Sequence, residues 1–305
     1  MKVKKVILAA LSLALACGIG FGVAGCNGGN GESGAVAGDI IVISREEGSG
    51  TRGAFVELTG IEAKNEQGEK VDRTISSAVT TNSTNVVLTT IMDSRRAIGY
   101  VSMGSLNDKV KALKYNGVEP TTENVLAGTY KLARPFNIAT KKGAAANDLR
   151  DDFIKFIYSN EGQEIVTKGG YIALKADDGN RTGAYTAPAS LTQKSLSIGG
   201  SSSVSPLMDK LIESYKKLNS GVTIDLQTSD STNGMKDAAA GRVDIGMASR
   251  ELKESEKGSV DGKVIAQDGI AVIVHKDNAL DTITQDQVCK IYIGEITKWE
   301  QVSAK

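Results

Sequence analysis

The chain of 305 residues has one histidine, His275, one tryptophan, Trp299, four prolines and three cysteines, and its 36 basic residues only match its 36 acidic ones. A single histidine excludes the His-rich zinc sites and leaves one possible base for any Ser–His nucleophile. Three cysteines, Cys17, Cys26 and Cys289, cannot build a disulfide framework. Without an excess of Lys and Arg there is no electrostatic footprint for nucleic acid. Charge is also missing locally, from Val6 to Gly25. No later apolar run is long enough to span a membrane.

What is present at the amino terminus is a basic start, MKVKK, then that apolar run, then the small residues VAGC at 23–26. This is the pattern of an export signal. Its end at a cysteine resembles the lipobox of bacterial lipoproteins, which implies lipidation of Cys26 as the first residue of the mature chain; an ordinary signal peptide or a membrane anchor are the other readings. Cys17 falls inside the apolar core. Removal of residues 1–25, with Lys2, Lys4 and Lys5, leaves 33 basic against 36 acidic residues, a net charge of −3. With Cys26 lipidated, no intramolecular disulfide is possible, and Cys289 reads as a small core residue.

Residues 27–39, NGGNGESGAVAGD, are too polar to pack and read as a tether. Residues 176–195 form a second such interruption. Elsewhere short β-rich runs at 40–44, 97–101, 136–139, 196–198, 222–227, 244–248 and 270–274 alternate with helical patterns. In 149–158 Leu149, Phe153, Phe156 and Ile157 share a face, as do Leu207, Leu211, Tyr215 and Leu218 in 206–218. The alternation predicts an α/β fold with mainly parallel strands.

Three hydroxyl-rich turns each separate a strand from a helix: ISREEGSGTRGAF (43–55), IGGSSSVSPL (198–207) and QTSDSTNGMK (227–236). A helix start presents unpaired N–H groups and the positive end of its dipole, and hydroxyls donate beside them, so three such starts together would cradle a small oxyanion. The competing reading is that Ser and Thr merely cap their own helices. Arg45, immediately before the first turn, favours the anion, because a guanidinium offers planar paired donors; Glu47 is placed to hold it. None of the turns carries GxxxxGK[ST], and no GxGxxG opens a helix, so nucleotide phosphates are not the expected ligand.

These residues resemble the phosphate-binding proteins that serve ABC-type phosphate importers, a family of the periplasmic-binding-protein class. The segment 44–55 looks like the family's most specific signature. Segments 197–207, DIGMASREL (244–252), DGIAVIV (268–274), IYIGEITKWE (291–300), AIGYVSMGSL (97–106) and GQEIVTKGGYI (162–172) look like further landmarks. Their order differs from the family's, in which the 197–207 turn comes first. The resemblance therefore implies a two-lobed, type II binding-protein fold in circularly permuted order, with residues 176–195 joining the former ends; a truncated or misassembled gene product is the rival explanation. It implies a signal peptide (1–25), a tether (26–39), one lobe from 40–133 plus 276–305 and the other from 134–275. Permutation costs little where old ends are close and new ones exposed.

The resemblance implies phosphate ligands at Arg45, Ser49, Gly50 and Thr51 from one lobe and Ser202, Ser203, Ser231 and Ser249 from the other. Ser249 comes from the resemblance alone; it stands where some members carry an aspartate that accepts the proton of hydrogen phosphate, which leaves selectivity against sulfate weaker. Asn82, Ser83 and Thr84 line the cleft or cap a helix. Arg52 and Arg250 add positive potential or pair with acids, Trp299 packs near the hinge and His275 lies at a strand end. The expected protein is an extracytoplasmic, lipid-anchored carrier of inorganic phosphate for permease subunits at the cell membrane, with no cofactor, metal or nucleic acid. Two alternatives are a serine-dependent hydrolase or phosphatase, for which Ser214 to Lys217 match SxxK inside a helical pattern, and a phosphate-sensing scaffold.

Overall fold

Strands alternate with helices, as the pattern predicts, but the sheet is mixed and not mainly parallel: its two long central strands, 133–141 and 260–275, run antiparallel to each other and to their neighbours. The computed structural model describes residues 36–302 except 177, 178 and 180; the signal segment and Cys26 lie outside them. Nine strands form one sheet: β1 (Ile41–Arg45), β2 (Val79–Thr81), β3 (Ala97–Ser102), β4 (Val110–Ala112), β5 (Ala133–Lys141), β6 (Ser195–Ser201), β7 (Thr223–Ser229), β8 (Ile245–Ala248) and β9 (Val260–His275). Their order is β7-β6-β8-β5-β9-β3-β1-β2, with β4 also on β9. Among the described residues no helix is long and apolar enough to cross a membrane, and no group of three metal-ligating side chains occurs.

Two large hydrophobic clusters sit along this sheet. One contains Val42, Phe55, Ile91, Tyr100 and Leu132 and then Ile270 to Val274, Tyr292 and Trp299. The second contains Phe136, Phe153, Phe156, Leu207, Tyr215, Ile245 and Ala266. β9 contributes to both, and β5 enters the second directly after Leu132 of the first. β9 runs for 16 residues, with a bulge between Val264 and Ala266; its polar residues Asp261, Lys263, Gln267 and Asp268 hid all but 270–274 from the alternation pattern. Leu149, Phe153, Phe156 and Ile157 are fully buried on the helix Asp148–Tyr158, as their spacing requires, each contributing roughly 1.5–3 kcal/mol.

The described residues of segment 176–195 include no helix and only the first residue of β6, yet several are tied down. The Tyr185 ring packs on Phe156 and Tyr215, and its hydroxyl donates to Asp152 at 2.6 Å. Asp148 accepts from the N–H groups of Thr192 (2.6 Å) and Gln193 (3.1 Å), and Glu161 accepts from that of Tyr185 at 2.8 Å. The Thr192 N–H holds the Asp148 carboxyl below its usual 3.8, and the Tyr185 N–H holds Glu161 below its usual 4.5. Carboxylates with lowered pKa stabilise fully above those ordinary values and lose that contribution as pH falls through the lowered ones. Hydrogen exchange at Tyr185, Thr192 and Gln193 should therefore accelerate below about pH 4 while amides of β5 and β9 stay protected.

Segments 38–40 and 297–299 also pair: the Ile40 N–H donates to the Thr297 carbonyl at 2.8 Å and the Trp299 N–H to that of Gly38 at 3.1 Å. Trp299 is buried here, its indole N–H donating to the Arg96 carbonyl. It belongs to the first core, in one cluster with Ile270 to Val274 of β9.

Candidate functional site

Four helices begin at the carboxyl ends of parallel strands and meet. α1 (Gly50–Thr59) follows β1, α2 (Thr84–Asp93) follows β2, α3 (Ser205–Leu218) follows β6 and α4 (Ser231–Ala240) follows β7. The first two pack in one core and α3 in the second, while α4 packs through Met235 and Ala238 in a smaller cluster with Val243 and Ala248 beside the second core. Each supplies orphan N–H groups and a positive dipole end.

Arg45 lies among them, 3% exposed. Its Nη2 donates to Ser202 Oγ of the opposite core at 2.9 Å, Nη1 to Thr84 Oγ1 at 3.3 Å and Nε to the Thr81 carbonyl at 3.2 Å. Glu46 clamps the guanidinium with both carboxylate oxygens at 2.8 Å. This corrects the expectation for Glu47: the Glu46 N–H extends the β1–β2 pairing to the Thr81 carbonyl, and the acid next to Arg45, not the one after it, closes on the guanidinium. Beneath, the Arg45 N–H donates to the hydroxyl of Tyr100, whose ring stacks on Phe55 at 3.9 Å.

The other predicted residues assemble around this point. Thr51 and Ser203 hydroxyls meet across the cores at 2.8 Å. Ser249, fully buried, accepts from Ser201 Oγ at 2.9 Å, lies 3.4 Å from Ser231 Oγ and donates its N–H to that oxygen at 3.0 Å. A Cβ on Gly50 would collide with the hydroxyl of Ser231 and stand 2.8 Å from that of Ser249, so space demands glycine there. Thr232 clasps the cores directly, its N–H and hydroxyl both donating to the Gly48 carbonyl at 3.2 Å. Ser49 is at the site but caps its own helix, accepting from the Arg52 N–H. Asp230, not Ser231, caps α4, which leaves the Ser231 hydroxyl turned to Ser249. Thr84 joins the constellation although capping is its plainer reading in sequence; Ser83 takes the cap position and makes no side-chain cap bond.

The site's arginines are all neutralised. Arg45 pairs with Glu46, Arg52 with Asp72 at 2.7 Å, Arg250 with Glu256 at 2.7 Å and Arg134 with Asp268 at 3.0 Å. Burial works against the Asp72 and Glu256 carboxylates, but Thr74 and Arg52 hold the first, and Arg250 and the Lys253 N–H the second, below the ordinary range. Arg134 and Asp268 were not singled out in the sequence, since they meet only through the register of β5 with β9. The arrangement suits an anion bound by fixed dipoles, hydroxyls and one oriented guanidinium.

The fold and this convergence of helix starts are those of the substrate-binding class of protein. The sequence matches the PBP superfamily domain over residues 28–161 and 186–305, and the chain belongs to that family. It is 47% identical over 302 residues to phosphate-binding protein PstS 2 of Streptococcus agalactiae serotype V, covering 98% of this chain and 99% of that one. The PstS 2 protein of Streptococcus pneumoniae serotype 4 is 43% identical over 304 residues, 99% of this chain and all of that one. The crystal structure of a phosphate-binding protein of a phosphate ABC transporter from Streptococcus pneumoniae TIGR4 superposes with a TM-score of 0.68 at 43% identity, covering 87% of this chain and 100% of that one.

Proposed function

We propose that the protein captures inorganic phosphate between two lobes and delivers it, outside the cytoplasm, to an ABC-type permease, held to the membrane by a lipid on Cys26. The observation that carries this reading is the buried Arg45, which donates across the gap to Ser202 while Thr51 meets Ser203. When phosphate enters, these direct contacts are exchanged for bonds from Arg45, Ser49, Gly50, Thr51, Ser202, Ser203, Ser231 and Ser249 to its oxygens, with Thr84 added to the set. Exclusion of water strengthens each charge-assisted bond. Each large hydrophobic core is one lobe, and we place the hinge where the chain passes between them, at 133–135 and 267–269. The names of the similar proteins agree with this reading.

The end-to-end match to those relatives supports a circularly permuted order that is native to this branch and not a broken gene. Hydrolysis finds no support: the site hydroxyls bond to one another and to Arg45, whereas His275 accepts from the Asp277 N–H elsewhere. Titration calorimetry with phosphate, arsenate and sulfate tests the function, and no heat with phosphate at millimolar concentration refutes it. Thr84→Val, which removes one acceptor for Arg45, should weaken phosphate binding about fivefold, near 1 kcal/mol for one hydrogen bond, in the same titration.

A further inference from the structure

Arg134 and Asp268 lie outside every turn of the site, yet a continuous set of bonds runs through them. They are register partners on β5 and β9, at the place where Leu132 and Ile270 of one core give way to Phe136 and Ala266 of the other. Arg134 is 3% exposed and Asp268 not at all. Arg134 Nε and Nη2 donate to Asp268 Oδ2 at 3.2 and 3.0 Å, while its Nη1 donates to the Ser249 carbonyl at 3.0 Å. The other carboxylate oxygen of Asp268 accepts from Ser102 Oγ at 2.9 Å. Ser102 ends β3 in the first core, and Ser249 follows β8 of the second sheet half. The bonds thus tie one core, both crossing strands and a site residue together.

We propose that Arg134 and Asp268 are a positioning pair for anion capture: they fix the Ser249 peptide and the setting of the two cores at which the site is complete. The inference rests on the phosphate reading above. A buried ion pair adds little stability over apolar side chains of the same size, because desolvation offsets the attraction. Here the geometry serves direction. The guanidinium uses three nitrogens toward two elements, and the carboxylate uses both oxygens toward two others, which no apolar pair reproduces. Burial pushes the Asp268 carboxyl up, opposed by the Arg134 charge and the Ser102 hydroxyl; the permanently charged Arg134 keeps the pair ionic. The surroundings leave no slack. A Cβ on Gly269 would strike Met103, and one on Gly104 would strike the Tyr171 ring, so the pair cannot shift without moving the packing on both sides.

The test is phosphate titration and stopped-flow dissociation with wild type, Arg134→Met/Asp268→Leu and Arg134→Lys. The double variant removes both charges together and should stay folded, with a Tm near wild type, yet bind phosphate at least about tenfold more weakly and release it faster. Arg134→Lys keeps the charge opposite Asp268 but loses the fork that reaches Ser249, and should weaken binding about fivefold; it decides the matter if the double variant fails to fold. A purely structural pair would change Tm and leave the affinity of the folded protein alone. Binding within twofold of wild type in the folded variants overturns the positioning role while the phosphate reading stands. No binding by wild type overturns both.

Discussion

Arg45→Ala should abolish phosphate binding at any concentration reached in titration, a loss of about a thousandfold, near 4 kcal/mol. Two effects add. The anion loses the one oriented guanidinium, whose charge-assisted bonds are worth about 1.5–3 kcal/mol each. Glu46, clamped by Arg45 through both oxygens, then stands unpaired beside the incoming anion and repels it. Arg45→Lys separates charge from shape. It keeps the positive charge against Glu46 but cannot donate to Ser202, Thr84 and Thr81 together, and should leave binding weaker than wild type by about thirtyfold. Calorimetry on the three proteins orders them, and a lysine variant equal to wild type would show that charge alone suffices.

Gly50→Ala should weaken phosphate binding by about a hundredfold without lowering the Tm of the ligand-free protein. Glycine is needed at this position only when the two cores meet, since the added methyl would strike the Ser231 and Ser249 hydroxyls of the opposite side. Both hydroxyls are fully buried and bonded, so neither can swing away freely. The cores would be propped apart with the site incomplete. Within its own core Gly50 is the first residue of α1, where alanine favours the helix. Small-angle scattering with saturating phosphate should show wild type compacting and Gly50→Ala remaining extended. Compaction of the variant to the wild-type dimension would contradict the role assigned to the glycine.

The parts of this site that the sequence disclosed are those written locally. A Gly-, Ser- and Thr-rich turn after an apolar run marks a helix start within a dozen residues, which exposed three of the four turns together with Arg45, Thr51, Ser202 and Ser231. Ser249 follows a strand with no such turn; its burial comes from Ser201 and Ser231, 48 and 18 residues away in sequence, so only family resemblance pointed to it. The choice between Glu46 and Glu47 depends on how the chain leaves β1, which no spacing rule fixes. Arg134 and Asp268 become partners across 134 residues only through strand register. The short strands β2 and β4, three residues each, carry too few side chains for alternation to show.

Determination of the crystal structure in phosphate tests the central claim most directly. The account predicts a tetrahedral anion enclosed between the cores, its oxygens within hydrogen-bonding distance of the Arg45 guanidinium and of hydroxyls from both sides, Thr51 on one and Ser202 and Ser249 on the other. An anion bound elsewhere, with Arg45 still donating to Ser202 as it does here, would contradict it.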